Sequence, residues 1–374
     1  MRIAILHASA GHGHAKAGEA IREGFLACGV SEKDILLLDA LDVTPSWFRK
    51  FYTSLYYYSV KHTPKLWGIS YSMLDAGWFY YSIGKFLRRQ LNQQIGKGLI
   101  NRMIAEKPDA IIFTHFLAPE VLGHYKMMGS FSSLYVTVVT DFLPHIFWVN
   151  PETDYYWVMS EEGKRILERR GIPTERIVAG GIPISPQFKF QNRKKEIRKN
   201  LKLEENRFTI LVTSGSFGLG PTSAVLDGLK EFAPRIQAIV VCGRNETQCQ
   251  SLEKEGYPFP VRIFGFVSNM DELMEASDLL IAKPGGATTA ESLAKGLPMV
   301  VLKPIPGQEA GNASLLRERN ASFFLEKPSD IRVIIKGILD YPQVLEEKKK
   351  SIERLAKADA GAELAKFVLE RIKK

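Results

Sequence analysis

What most restricts this chain is a twofold series of short, largely apolar runs, each followed by turn residues and then by residues at helical spacing. RIAILHAS, DILLLD, PDAIIFTH, SSLYVTVVTDF and TDYYWVMS form the first series; FTILVTS, QAIVVCG, VRIFG, DLLIAK and PMVVL form the second. Runs without polar alternation suit strands buried on both faces, and the intervening helices supply the crossovers that parallel pairing needs. Two doubly wound α/β domains in tandem are therefore expected. Length agrees, since 374 residues exceed the ~250–300 at which a single core stops growing. A strongly charged stretch over residues 193–207 separates the series. The expected boundaries are 1–183 for an N-terminal domain, 184–345 for a C-terminal domain, and 346–374 for a final helix, without a strand partner, that packs back across the first domain.

Composition narrows the function classes. With 45% hydrophobic and 24% charged residues the chain is an ordinary globular one. No run approaches the ~18–20 apolar residues of a membrane span, and the N-terminus lacks the order of a signal peptide, so a cytoplasmic protein is expected. Cys28, Cys242 and Cys249 suggest neither a disulfide framework nor a zinc site.

The net charge of +9 implies an anionic partner. Most of it lies within residues 47–97, where Asp75 is the one acidic residue among Arg49, Lys50, Lys61, Lys65, Lys85, Arg88, Arg89 and Lys97. Trp47, Phe48, Trp67, Trp78 and Phe79 are interleaved with these cations. Aromatic and basic residues together suit docking on an anionic membrane surface. Nucleic acid is the weaker expectation, because no recognised nucleic-acid-binding fold is present. Tyr58, Trp67 and Tyr71 have a second reading as a buried aromatic cluster.

Glycine turns after strands mark the candidate sites. SAGHGHAKAGEAIREGF places Gly11, His12, Gly13 and His14 between the first strand and its helix. TSGSFGLG, with Gly215 and Ser216, follows the first strand of the second series, and KPGGATTAESLAKGLPMV, with Gly285, Gly286, Thr288 and Glu291, opens a helix after DLLIA. Turns of this kind direct backbone N–H groups and helix N-termini at an anion beyond the strand ends. PIPGQEAGNASLL adds Gln308, Glu309 and Asn312, whose amides and carboxylate suit a hydroxyl-rich ligand. Asp141 and His145, in VTDFLPH, follow another buried strand.

Taken together, SAGHGHAKAGEAIR, TDFLPHIFWVNPETD, GIPISPQF, TSGSFG, KPGGATTAESLAKGLPMV and PGQEAGNA occur in the order and at roughly the spacing of one family. The chain resembles the monogalactosyldiacylglycerol synthase and processive diacylglycerol glucosyltransferase group of glycosyltransferase family 28, over nearly its whole length. That resemblance implies a GT-B fold: two Rossmann-like domains facing a central cleft, the C-terminal one holding a UDP-sugar and the N-terminal one a lipid acceptor.

By position in the family's motifs, His14, followed by Glu19, Ala20 and Ile21, matches the catalytic histidine. Glu291 matches a ribose ligand, and Gln308, Glu309 and Asn312 match residues around the sugar and phosphates. Gly215 and Ser216 resemble the diphosphate loop, while Phe266 and Val267 stand where uracil is held. Related members often carry Gly where this chain has His12.

An inverting transfer needs a base for the acceptor hydroxyl, and a neutral His14 at a helix N-terminus suits that task. Asp141 and His145 are expected to orient His14 or to meet the acceptor headgroup. A metal held by His12, His14 and Asp141 is the competing reading; neither a metal nor any cofactor beyond the UDP-sugar co-substrate is expected.

The resemblance thus implies a transferase moving glucose or galactose from a UDP-sugar to diacylglycerol or a glycosyl-diacylglycerol, peripheral on the inner face of the cell membrane. A polyprenyl-linked acceptor, a UDP-sugar epimerase and a UDP-sugar sensor are the alternatives.

Overall fold

The computed structural model describes residues 1–9, 11–75, 95–215, 218 and 220–372. These form two compact units. The first takes Met1–Pro186, Ile305–Gly311 and the residues from Lys357 onward; the second takes Gln187–Pro304 and Asn312–Ala356.

The first unit is built on a parallel six-stranded sheet: β1 (Ile3–His7), β2 (Ile35–Asp39), β3 (Ala110–Phe113), β4 (Leu134–Val138), β5 (Tyr155–Val158) and β6 (Ile177–Ala179), in the order β2-β1-β3-β4-β5-β6. Successive side chains on a strand point to opposite faces, and here both faces are covered. Ile3 and Ile5 enter a cluster with Ile21, Phe25, Leu364 and Val368, whereas Ala4 and Leu6 enter another with Leu99, Met103 and Leu122. This two-sided burial is why the strands carry no polar alternation.

The second unit repeats the plan with β7 (Phe208–Thr213), β8 (Ile236–Val241), β9 (Val261–Phe264), β10 (Leu279–Ala282), β11 (Met299–Val301) and β12 (Ser322–Phe324), ordered β12-β11-β10-β7-β8-β9, again all parallel. In each unit the strand order reverses at one place, between β1 and β3 and between β7 and β10. Open α/β sheets bind ligands beyond the carboxyl ends of the strands at such a reversal.

Two strands, β6 and β12, had no counterpart among the expected runs. Each is a three-residue edge strand, too short for a continuous apolar signature. The expected helix over 346–374 is in fact two, Gln343–Leu355 in the second unit and Ala360–Ile372 in the first, separated by a break after Leu355. Loop 305–311, expected in the C-terminal domain, belongs to the first unit.

The last helix lies against α1 (His12–Ala27), where Gly24 meets Gly361. A Cβ on Gly24 would stand 2.3 Å from the Gly361 carbonyl oxygen, so backbone contact there requires glycine.

Candidate active site

At the reversal in the first sheet, the chain leaves β1, passes Ser9 and enters α1 at His12. Asp39, at the end of β2, accepts hydrogen bonds from the Ser9 hydroxyl and from the Leu41 amide, tying the turn to the neighbouring strand end. Gly11 caps α1 with φ 154°, outside the range side-chain-bearing residues favour, and Gly13 lies in the first helical turn.

The turn directs His14 across to the end of β3. Its Nδ1 lies 2.7 Å from the Thr114 carbonyl oxygen and 2.9 Å from the Thr140 hydroxyl, and the Thr114 hydroxyl donates back to the His14 carbonyl at 2.9 Å. A carbonyl only accepts, so Nδ1 carries the ring proton and Nε2 presents the lone pair. Nε2 makes no hydrogen bond among the described residues. The ring stands edge-on to His115 at 4.7 Å and tilted to Trp148 at 6.2 Å.

Burial pushes the His14 pKa down to about 4, against the raising effect of the Thr114 carbonyl; the nearby His7 lowers it further. His14 is therefore neutral near pH 7. His7 is itself held below the ordinary imidazole value by burial, with Asp39 opposing, and its Nδ1 is buried without a hydrogen-bond partner.

Among the described residues no hydrogen bond joins Asp141 to His14. Asp141 Oδ2 accepts from Trp148 Nε1 at 2.9 Å and its Oδ1 from Gln308 Nε2 at 2.6 Å. Trp148, which Asp141 holds, packs near His14. Burial raises the Asp141 pKa to about 6, the two hydrogen bonds working the other way.

His145 is held in the scaffold and lines a cavity of the first unit. It is 3% exposed, its Nδ1 accepts from the Phe147 amide, and its Nε2 donates to the Tyr71 carbonyl at 2.8 Å. Among the described residues, no group of three or more His, Cys, Asp or Glu side chains is arranged to hold a metal.

The second unit brings two glycine turns to its own reversal. After β7, Gly215 and Gly218 take φ of 74° and 61°, and Asn245 Nδ2 donates to the Gly218 carbonyl at 3.1 Å; Ser216 lies outside the described residues. After β10, Gly285 precedes the helix Gly286–Ala294, which has no side-chain cap and no acid in its first turn. Its first N–H groups are thus left for a ligand, and a Cβ on Gly285 would meet nothing within 4 Å.

Thr288 and Glu291 lie along this helix, both half-buried. Beyond β9, Phe266 is 57% exposed with the Arg244 guanidinium 5.4 Å above its ring, and Val267 follows half-buried.

Two residues of the PGQEAGNA segment also brace the backbone. Asn312 is 1% exposed and donates to the Pro284 carbonyl at 2.8 Å, so it braces the Gly285 turn. Glu309 Oε2 accepts from the Ile305 amide at 2.7 Å, closing the loop that carries Gln308.

Phe48 is corrected too: at 5% exposure it packs into the core with Leu41 and Leu99. The exposed face of its helix, α2 (Ser46–His62), instead presents Trp47, Phe51, Leu55 and Tyr58, and α3 (Pro64–Asp75) presents Leu66, Ile69 and Met73. Trp67 falls on α3, but its side chain, like Trp78, Phe79, Arg88 and Arg89 as a whole, lies outside the described residues. No described helix is long and apolar enough to cross a membrane.

Sequence comparisons bear on both halves. Residues 14–184 match the monogalactosyldiacylglycerol (MGDG) synthase model, and residues 209–366 match the glycosyltransferase family 28 C-terminal domain. The processive diacylglycerol beta-glucosyltransferase of Bacillus cereus (strain AH187) is 31% identical over 385 residues, 96% of this chain and 91% of that relative. The chain belongs to this glycosyltransferase family.

Its fold is the GT-B fold of family 28 and related enzymes. Acinetobacter baumannii MurG superposes with a TM-score of 0.62 at 12% identity over 98% of this chain and 99% of that one. Anabaena HepE, solved with UDP-glucose, does so with a TM-score of 0.59 at 14% identity over 99% and 100%. As a family 28 enzyme, the chain owes Thr114, Thr140, His115 and Trp148 their places around His14 to strand ends far apart in sequence. Nothing at those positions marked them in advance, although Thr114 and His115 directly follow the apolar run AIIF and Thr140 follows YVTVV.

Proposed function

We propose that the chain transfers glucose from UDP-glucose to diacylglycerol with inversion, using His14 as the base. The observation that carries this reading is the pinning of His14 Nδ1 by the Thr114 carbonyl, which leaves Nε2 as a fixed proton acceptor on a neutral ring. The acceptor hydroxyl gives its proton to Nε2, its oxygen bonds to the anomeric carbon, and the electron pair of the broken sugar–phosphate bond leaves with UDP. A positioned base of this kind contributes roughly 10²–10⁴-fold.

The donor half of the reading rests on the uncapped N-terminus of Gly286–Ala294 and the Gly215 turn as the seat of the diphosphate, with the helix dipole meeting its charge. Glu291 serves the ribose and the segment around Phe266 and Val267 the uracil. No metal ion or other cofactor takes part. The printed activity of the Bacillus cereus relative and the UDP-glucose found in Anabaena HepE favour glucose as the sugar.

The lipid substrate requires a membrane surface, and the apolar stripe of α2 and α3 is the element suited to it. Trp47, Phe51, Leu55 and Tyr58 recur at three- and four-residue spacing on one face, with Arg49 and Lys50 beside them. On this reading the enzyme works on the inner face of the cell membrane, held to anionic lipid.

The test is His14→Ala in the full chain. Glucosyl transfer is lost while UDP binding, measured by calorimetry, stays within a few-fold, because the base and the nucleotide seat lie on different units. Unchanged transfer would remove His14 as the base, and loss of UDP binding would place it with the donor.

A further inference from the structure

Asp141 is 4% exposed, and each of its oxygens accepts one hydrogen bond, Oδ2 from Trp148 and Oδ1 from Gln308. The loop that carries Gln308 is itself held. Glu309 closes it on the Ile305 amide, and it packs on the segment after Asp141 so closely that a Cβ on Gly311 would touch the Leu143 side chain at 3.5 Å. Trp148 in turn lies beside the His14 ring. Three consecutive contacts therefore lead from the proposed base to Gln308.

The chemistry of these contacts fixes which way round the Gln308 amide stands. An ionised carboxylate only accepts, so the amide turns its NH2 group to Asp141. Its carbonyl oxygen, Oε1, is left facing outward; it accepts from no described residue and is not sealed from solvent. A hydroxyl can satisfy that oxygen by donating to it, whereas a group that only accepts, such as an ionised phosphate oxygen, cannot.

From these contacts, and resting on the transferase reading above, we infer that Asp141 is a positioning residue for substrate selection: it holds Gln308 Oε1 toward the transferred hexose, so that one sugar hydroxyl must donate its hydrogen there. The selection lies in the orientation of the amide and not in the glutamine alone. Trp148 makes this testable, because its indole N–H can only donate. In Asp141→Asn the introduced amide keeps its oxygen on Trp148 and directs its NH2 at Gln308. Gln308 then accepts with Oε1 and turns its own NH2 outward. A nearly isosteric change thus reverses the polarity of the group presented to the sugar.

The experiment measures kcat/KM of the full chain with diacylglycerol vesicles and UDP-glucose analogues in which one sugar hydroxyl at a time is replaced by hydrogen or by fluorine. It is run at about pH 8, well above the Asp141 pKa, which burial pushes up to about 6. Carbon-bound fluorine accepts weakly and never donates, so an outward oxygen repels it and an outward NH2 tolerates it. The intrinsic effect of fluorine on sugar reactivity cancels when two proteins are compared at the same position. The expected result is that Asp141→Asn raises the fluoro-to-deoxy ratio of kcat/KM about tenfold or more at one position, and changes it by less than about twofold in a Gln308→Ala background. A ratio unchanged at every position, or an equal rise in the Gln308→Ala background, would overturn the proposal.

Failure of the wild-type chain to transfer glucose to diacylglycerol would instead contradict the transferase reading. The orientation of the amide is then decided by NMR on the protein without substrate. The Gln308 side-chain NH2, identified as the signal that Gln308→Ala removes, exchanges slowly with water in the wild type and faster in Asp141→Asn. Fast exchange in the wild type, or equal rates in the two folded proteins, overturns the proposal; the wild-type rate decides it alone where the variant does not fold.

Discussion

His14 and Thr114, one hundred residues apart in sequence, meet at 2.7 Å between a ring nitrogen and a backbone carbonyl. Among the described residues no carboxylate hydrogen-bonds to His14; a main-chain oxygen at the end of β3 fixes its tautomer, and burial lowers its pKa. The sheet reversal thus holds a neutral, oriented imidazole, as the proposed base requires.

That arrangement sets the acid limb of the rate profile. Because burial lowers the His14 pKa to about 4, kcat/KM for diacylglycerol stays level as pH falls from about 8 to about 5 and declines only toward 4. Nitrogen-15 shifts at pH 7 are expected to report a protonated Nδ1 and an unprotonated Nε2. A limb centred near the ordinary imidazole value of about 6.5 would contradict the burial argument.

Asp141 makes a separate prediction about stability. Its folded pKa is raised to about 6 above an unfolded value near 3.9, so the folded state binds the proton more tightly. The resulting stabilisation is fully present below about pH 3.9 and is lost as pH rises through about 6. Relative to Asp141→Asn, the wild type loses on the order of 3 kcal/mol across that window. Thermal melts of both proteins from pH 4 to pH 8 provide the check; parallel curves would refute it.

The glycine contact between α1 and the last helix is a packing prediction. Gly24→Ala puts a methyl group 2.3 Å from the Gly361 carbonyl oxygen, which costs about 1–3 kcal/mol by overpacking. Urea unfolding measures it, and an unchanged midpoint would mean that the two helices separate freely.

The apolar stripe predicts membrane attachment. Replacing Phe51 and Leu55 together by Glu weakens cosedimentation with vesicles of anionic lipid while leaving the far-UV circular dichroism unchanged. Retained binding would exclude α2 as the docking face.

How far the sequence reveals this molecule depends on the range of each signal. Strands buried on both faces, such as AIIF and the IAIL of β1, announce themselves because their buried positions are all apolar. The three-residue edge strands carry too few positions to do so. His14, Gly285 and Gln308 were legible because glycine turns and amide-rich loops after strands are local patterns. Asp141 and Asn312 were named, but their partners, Trp148 with Gln308 and Pro284, are set by tertiary contact. The same holds for Phe48 and Trp47: they are adjacent in sequence, and only the docking of α2 decides which faces the core.

The most direct test of the central claim is release of UDP from UDP-glucose by the purified full chain, with and without vesicles containing diacylglycerol. The account predicts release that depends on diacylglycerol and a glucosyl-diacylglycerol product identified by mass spectrometry. UDP release independent of the lipid, or UDP-glucose bound without turnover at any diacylglycerol concentration, would contradict it.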